Sequence, residues 1–173
     1  MSETKKSLHE FYEMKVKNIM QTTKSELPCV EDKADVADVF SILNTKDHVW
    51  VVDSKEPKQL LGIITESDTI VLFSPPYTSL QTFDKPDPRS LQYEVPLTAE
   101  EIMSKKPVTT SPDEKIKNVL LKMKEQKIKQ LAVVDENDML VGEITLHLLI
   151  ARYQEEHNDN IHIEKDDKKS LRR

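Results

Sequence analysis

Glycine is almost absent from this chain: Gly62 and Gly142 are the only two in 173 residues. A glycine-rich loop cradling phosphates on consecutive backbone N–H groups is therefore excluded. Cysteine is scarcer still. Cys29 alone cannot close an intramolecular disulfide, which sets aside a disulfide-stapled scaffold and fits a reducing compartment. Beside Pro28, with no neighbouring histidine to activate it, Cys29 reads as a small apolar residue rather than a nucleophile. No run of eighteen apolar residues occurs, so no membrane span is expected. The polar stretch from Met1 to Glu10 lacks the apolar core of a signal peptide. Positive charge is in deficit. A formal net charge of −6 offers no general attraction to nucleic acid or anionic lipid. Together these absences predict a cytoplasmic protein. The five histidines, His9, His48, His147, His157 and His162, have no metal-ligand spacing. No paired-acid or serine–histidine arrangement suggests an enzyme.

What the sequence does contain is a repeat. Val49–Val52 reads as an apolar strand, Asp53–Gln59 as a polar turn and Leu60–Ile64 as a second strand. Thr65-Glu66-Ser67-Asp68 follows, then a helical run ending at Phe73. The series returns as Leu131–Val134, Asp135–Met139 and Leu140–Ile144, with Thr145 opening the final helix. The two glycines hold the same place in the two copies. Upstream, Lys17-Asn18-Ile19-Met20 matches Glu100-Glu101-Ile102-Met103, and Leu27-Pro28-Cys29-Val30 stands where the second copy has Lys106-Pro107-Val108-Thr109. Each proline suits the start of a strand.

Two further helices are predicted. One takes Asp35 as N-cap and repeats Val36, Val39, Phe40 and Leu43. The other starts near Ser111-Pro112-Asp113-Glu114, with Pro112 at its first position, and repeats Ile116, Val119, Leu120 and Met123. The last helices are expected over Ser67–Phe73 and Leu146–Tyr153. Each repeat is then β-α-β-β-α, an α/β fold, and halves this small are expected to pack against each other.

The boundaries follow. Residues 1–15 form an N-terminal tail and a lead-in helix on Leu8, Phe11, Tyr12, Lys15 and Ile19, with Ser2–Lys6 expected to be disordered. Residues 16–73 are the first repeat and 99–153 the second. Between them, 74–98 is a linker carrying Pro75, Pro76, Pro86, Pro88 and Pro96. It is either mobile or docked through Tyr77, Leu80, Phe83, Leu91 and Tyr93, docking being expected. Residues 154–173, almost all charged or amide, are expected to be a disordered tail.

The repeated unit resembles the CBS domain, and the chain as a whole resembles a tandem CBS pair, or Bateman module. The resemblance rests on Ile-Met at 19–20 and 102–103, Pro28 and Pro107, Val-Val-Asp at 51–53 and 133–135, and Gly-x-x-Thr at 62–65 and 142–145. It spans about residues 16–153. It implies two repeats packed sheet to sheet about a pseudo-twofold axis, commonly paired again into a homodimer. It also implies a regulatory module without chemistry of its own, acting on an unidentified protein partner. Its ligand would be an adenine nucleotide or related adenosyl compound in a cleft between the repeats. In such members the threonine of Gly-x-x-Thr-x-x-Asp lies near the phosphate and the aspartate holds the ribose hydroxyls.

The first copy, Gly62-Ile63-Ile64-Thr65-Glu66-Ser67-Asp68, matches completely. In the second, Gly142-Glu143-Ile144-Thr145-Leu146-His147-Leu148, the aspartate has become Leu148. Leucine accepts no hydrogen bond, and burying sugar hydroxyls beside it costs about 1–3 kcal/mol. The working site is therefore expected at Thr65 and Asp68, and the site at Thr145 and His147 is expected to be degenerate. Physical chemistry adds to this. A strand ending at Ile64 and a helix beginning at Thr65 bring free N–H groups and the positive helix end to where a phosphate could sit. Val30 and Ile63 could flank a base. His147 either reaches a phosphate or faces solvent, the latter being expected. The same Thr65–Asp68 stretch is also a capping sequence, a reading compatible with binding.

Glu66 and Asp68 disfavour a triphosphate, so AMP is expected ahead of ADP, ATP or S-adenosylmethionine, with no metal or resident cofactor. The alternative is a structural or protein-interaction module with vestigial clefts. Lysines 115, 117, 122, 124, 127 and 129 read as a solvated helix face rather than a grip on nucleic acid, because no aromatic residues stand nearby. Trp50, where the second copy has Ala132, is expected on the sheet face packed against helices or at an interface between chains.

Overall fold

Both strand–turn–strand units fold as antiparallel hairpins in the computed structural model, which describes residues 3–22, 27–56, 58–74 and 88–156. In chain order the elements are α1 (Glu3–Glu13), a 3-10 turn (Val16–Asn18), β1 (Gln21–Thr22), β2 (Cys29–Glu31), α2 (Val36–Leu43), β3 (His48–Val52) and β4 (Leu60–Thr65). Next come α3 (Glu66–Thr69), 3-10 turns at Ile70–Phe73 and Leu91–Tyr93, α4 (Ala99–Ile102) and β5 (Ser104–Lys105). The last are β6 (Thr109–Thr110), α5 (Ile116–Gln126), β7 (Gln130–Val134), β8 (Leu140–Thr145) and α6 over 146–156. Each repeat has the expected β-α-β-β-α order, with one short strand, β1 or β5, added ahead of it.

The elements gather into two compact units. The first draws on the described residues of 26–107 and 136–140, the second on those of 1–25, 108–135 and 141–173. In the first, the sheet runs β2-β3-β4-β5. Alternation along β3 sends Val49 and Val51 into a cluster with Val39 of α2, Ile64 of β4 and Leu72. Asp35 caps α2 as expected, its carboxylate accepting the Ala37 N–H at 2.8 Å. In the second unit the sheet runs β1-β8-β7-β6, and its core joins Leu131, Val133 and Ile144 to Ile116, Val119 and Met123 of α5.

The short strands explain the glycines. β1, from the start of the chain, pairs antiparallel with β8, Thr22 opposite Gly142. β5, from the start of the second repeat, pairs antiparallel with β4, Lys105 opposite Gly62. A Cβ on Gly142 would lie 2.5 Å from the Gln21 carbonyl oxygen. One on Gly62 would lie 2.5 Å from Met103 Sδ and 2.9 Å from the Ser104 carbonyl oxygen. Neither glycine has a positive φ. Both are required by the close approach of a neighbouring strand, not by their own dihedrals.

Several expectations are corrected. Residues 3–6 are helical rather than disordered, while Lys15 and Ile19 lie beyond the end of α1. α5 begins at Ile116 behind Lys115, so Pro112 is not its first residue. One cause serves both ends. The Val16 and Lys17 N–H groups donate to the Glu114 and Pro112 carbonyls, each at 2.9 Å, and the Ile116 N–H donates to Met14 O at 2.9 Å. Backbone groups at the end of one expected helix and the start of the other are used in this pairing. The expected helix over Ser67–Phe73 divides into the single turn α3 and a 3-10 turn. Leu91 and Tyr93, expected to dock, are exposed, whereas Leu97 is buried. Tyr77, Leu80, Phe83 and residues 157–173, including His157 and His162, lie outside the described residues. Trp50 is fully buried but alternates to the face opposite Val49 and Val51, edge-on to His48 with ring centroids 5.1 Å apart.

α1 is held to the second unit by Phe11, packed edge-on against Tyr153 at 5.5 Å, and by charge. Glu13 accepts from Lys115 and Lys117, and those hydrogen bonds pull its carboxyl down to about 2. Asp113, between Lys15 and Lys17, is likewise held at about 2 by their hydrogen bonds. Such surface pairs orient the helix more than they stabilise it. They also engage part of the basic stretch, and Lys122 donates to the Thr109 carbonyl at 3.0 Å.

Pairing also settles the alignment of the repeats. Val30 lies opposite Val51, and Thr110, not Thr109, lies opposite Val133. The matched prolines are thus offset by one residue, which in a strand means a change of face. Thr110 carries a hydroxyl where the first copy has a core methyl, and that buried Oγ1 has no hydrogen-bond partner among the described residues. Thr110→Val is expected to stabilise the chain by about 1 kcal/mol, seen as a higher urea midpoint with unchanged slope. A destabilised variant would show that the hydroxyl has a partner.

Candidate ligand-binding site

The end of β4 brings three of the sequence-predicted residues together. Ile63 and Thr65 are two apart on one strand and so share the face that also carries Trp50, Ile63 lying opposite Trp50 and Thr65 opposite His48. The chain then turns into α3, and Asp68 falls at its third position, close to Thr65 in space. The carboxylate of Asp68 folds back on that threonine. Its Oδ2 accepts the Thr65 N–H and the Thr65 hydroxyl, each at 2.8 Å, closing a capping box. The capping reading is realised, and it holds Asp68 in one orientation.

A residue that sequence reasoning missed completes the arrangement. Ser104, first residue of β5, lies opposite Ile63 and donates its hydroxyl to Asp68 Oδ1 at 2.8 Å. Its sequence signal was slight: it follows the repeated Ile-Met pair at 102–103. Ile63, Thr65 and Asp68 are half-buried, and Ser104 and Glu66 are exposed, so the group is open to solute from one side. Val30 sits in the hydrophobic cluster with Val49 and Val51. Its neighbour Cys29, opposite Trp50, belongs to the row that contains Ile63. The arrangement is a fixed, partly exposed carboxylate beside a hydroxyl, with apolar side chains along the adjoining strand. It suits a ligand that donates hydrogen bonds and has an apolar part, and it contains no nucleophile–base pair.

Thr145 and His147 lie in the second unit. There the Thr145 hydroxyl accepts the Leu148 N–H at 3.2 Å and caps α6. With Leu148 in place of an aspartate, no carboxylate folds back on the threonine. His147 is exposed on the first turn. Glu143, opposite Gln21, is buried where the first copy has Ile63. Among the described residues no cluster of acidic, cysteine and histidine side chains could hold a metal, and no helix is long and apolar enough to cross a membrane.

Two segments, 16–73 and 99–155, each match the model of the CBS domain. The chain belongs to the CBS domain family. It carries a pair of such domains. Among curated proteins it is similar to a homoserine O-acetyltransferase of Methanosphaera stadtmanae, 28% identical over 131 residues. The match takes 76% of this chain but only 22% of that protein's length. Among solved structures it is similar to CBSX2 in complex with AMP, with a TM-score of 0.64 and 19% identity, covering 82% of this chain and 96% of that one. It is also similar to the CBS domain pair of protein MJ0100 in complex with 5′-methylthioadenosine and S-adenosyl-L-methionine. There the TM-score is 0.56 and the identity 26%, covering 80% of this chain and 98% of that one.

Proposed function

We propose that this CBS pair is a regulatory module that binds an adenosyl ligand, AMP foremost, at the site of Ile63, Thr65 and Asp68. The observation that carries the reading is the Asp68 carboxylate, fixed by the capping box at the end of β4 and half-open to solvent. The second motif has Leu148 at that place and so lacks the carboxylate. The adenosyl compounds held by the CBSX2 and MJ0100 structures support the same ligand class here. Binding would act by favouring one arrangement of the protein over another, to the extent that the ligand's affinity differs between them.

Isothermal titration of the wild-type chain and of Asp68→Ala with AMP, ADP, ATP and S-adenosylmethionine tests this. Saturable binding of AMP at roughly micromolar Kd is expected, weakened at least about tenfold in the variant. Because Asp68 also caps α3, the unfolding midpoint of the variant is measured alongside, with a loss of about 1 kcal/mol expected from the cap alone. Binding retained in Asp68→Ala would place the ligand elsewhere, with Thr145 and His147 the next residues to vary. No heat from any ligand would favour the second reading, a protein-interaction module. One observation speaks for that reading: three protein donors already occupy the Asp68 carboxylate.

A further inference from the structure

We propose that two copies of this chain associate head to tail, the helical face of the first unit in one copy seating on the helical face of the second unit in the other. A homodimer is what the family resemblance implies; the direction of pairing is what the two faces add, and it stands apart from any adenosyl ligand. Each unit leaves apolar side chains exposed where its repeat ends. Ile70 is 69% exposed and Phe73 66%, while Ile150 is 50% exposed. Counted from Thr65 and Thr145, Ile70 and Ile150 hold the same place in the two copies. Phe73 stacks on Phe40 of α2, with ring centroids 5.6 Å apart. In the second unit Leu146 and Ile150 stand four apart on one stripe of α6, and α5 adds Leu121, 54% exposed. One exposed apolar residue is ordinary, but the same place exposed in both repeats, with apolar neighbours each time, marks a face that is covered in use.

Charge says what covers it. α2 and α3 carry Asp38, Glu66 and Asp68 and no lysine or arginine. α5 carries Lys117, Lys122 and Lys124 against Glu125 alone. Lys117, Leu121 and Lys124 fall on one stripe of that helix, so the lysines border the exposed leucine. Lys117 and Lys122 have partners in their own unit, Glu13 and the Thr109 carbonyl, and Lys124 is exposed. On α6, Arg152 is engaged by Glu155 and Glu156. Glu66, also exposed, stands where the second unit has Leu146. Two first-unit faces would set acid against acid, and two second-unit faces lysine against lysine, which costs affinity. Unlike faces set Glu66 and Asp38 against the lysines of α5. They also set the aliphatic Leu121, Leu146 and Ile150 against Ile70 and the Phe40–Phe73 stack. Made twice about a twofold axis, that contact closes a dimer.

The test is sedimentation equilibrium of the full chain without nucleotide. Wild type is expected to dimerise, with a Kd that rises as salt is raised from about 0.05 to about 0.5 M. Glu66→Lys and Lys124→Glu are each expected to raise that Kd about tenfold, and the double variant to return it to within about twofold of wild type. Pairing of like faces gives a different result. Each single change would then leave equal charges facing each other, so the Kd would not move and salt would tighten the dimer. Ile70→Asp and Ile150→Asp, which bury a carboxylate in the contact, are each expected to weaken the dimer at least about tenfold. Thermal midpoints of the dilute, monomeric variants matching wild type exclude loss through unfolding. A monomeric wild type overturns the pairing and leaves the faces to a different protein. Single charge variants without effect, or not rescued in the double variant, overturn its direction. A dimer indifferent to Ile70→Asp and Ile150→Asp overturns the faces. None of these outcomes turns on AMP, so the pairing and the ligand reading fail separately.

Discussion

Replacing Trp50 with alanine is expected to remove about 3–5 kcal/mol of stability. The indole is fully buried, in a row with Cys29 on β2 and Ile63 on β4, and the His48 ring meets it edge-on at 5.1 Å. Strands on both sides are hydrogen-bonded to β3, so the backbone around a void could collapse only by giving up ladder pairing. The cavity cost would then add to the lost transfer free energy. Ala132, at the equivalent place in the second unit, is also fully buried, so a small residue there is not a sign of space to spare. Urea unfolding followed by far-ultraviolet circular dichroism measures the loss, because the variant has no tryptophan to report on. Trp50→Phe, which retains a ring, is expected to lose less. A loss below about 1 kcal/mol for the alanine variant would mean that the indole is not close-packed.

Gly142→Ala is expected to cost about 2–3 kcal/mol, the penalty of overpacking a site whose neighbour is backbone. On conformational grounds alone the change would help, since a strand glycine is about 0.5–1 kcal/mol worse than alanine. The added methyl instead meets the Gln21 carbonyl oxygen at 2.5 Å, with Met20 Sδ at 3.3 Å. That carbonyl belongs to β1, and moving it away breaks the pairing of β1 with β8. Gly62→Ala should cost less, because its nearest neighbours are Sδ and Cγ of the flexible Met103, although the Ser104 carbonyl at 2.9 Å still resists. Unfolding in urea gives both losses, and amide exchange in β1 should accelerate in Gly142→Ala. A Gly142→Ala protein as stable as wild type, with β1 still protected, would refute the steric account.

These two predictions mark what was readable from the chain and what was not. The hairpins, the α2 cap at Asp35 and the Thr65–Asp68 turn were legible because each is local. Apolar alternation, a capping side chain and a fixed motif spacing all act within a few residues. The parity of β3 was misread: Trp50 was expected on the helix-packed face, but Val49 and Val51 enter the cluster with α2 and Trp50 faces the other way. The strands β1 and β5 were not legible. Two residues carry no periodicity, and their stability comes from backbone bonds to β8 and β4 rather than from any side-chain pattern. The matched prolines misled for a related reason. A composition match tolerates a slip of one residue, whereas strand pairing does not, and pairing put Thr110 rather than Thr109 opposite Val133.

By itself, then, the sequence determined that there are two copies of a β-α-β-β-α unit, that the first copy has a complete Gly-x-x-Thr-x-x-Asp motif and that the second has lost its aspartate. Local patterns suffice for those. Only the tertiary structure decided that the Ile-Met segment of each copy ends in a strand joined to the sheet of the other copy's hairpin. It also decided why both glycines are needed and that Ser104 reaches Asp68 from 36 positions away. The physical reason is the same throughout. These features depend on which backbone lies beside which, and backbone hydrogen bonds leave almost no mark on the identity of the residues that make them.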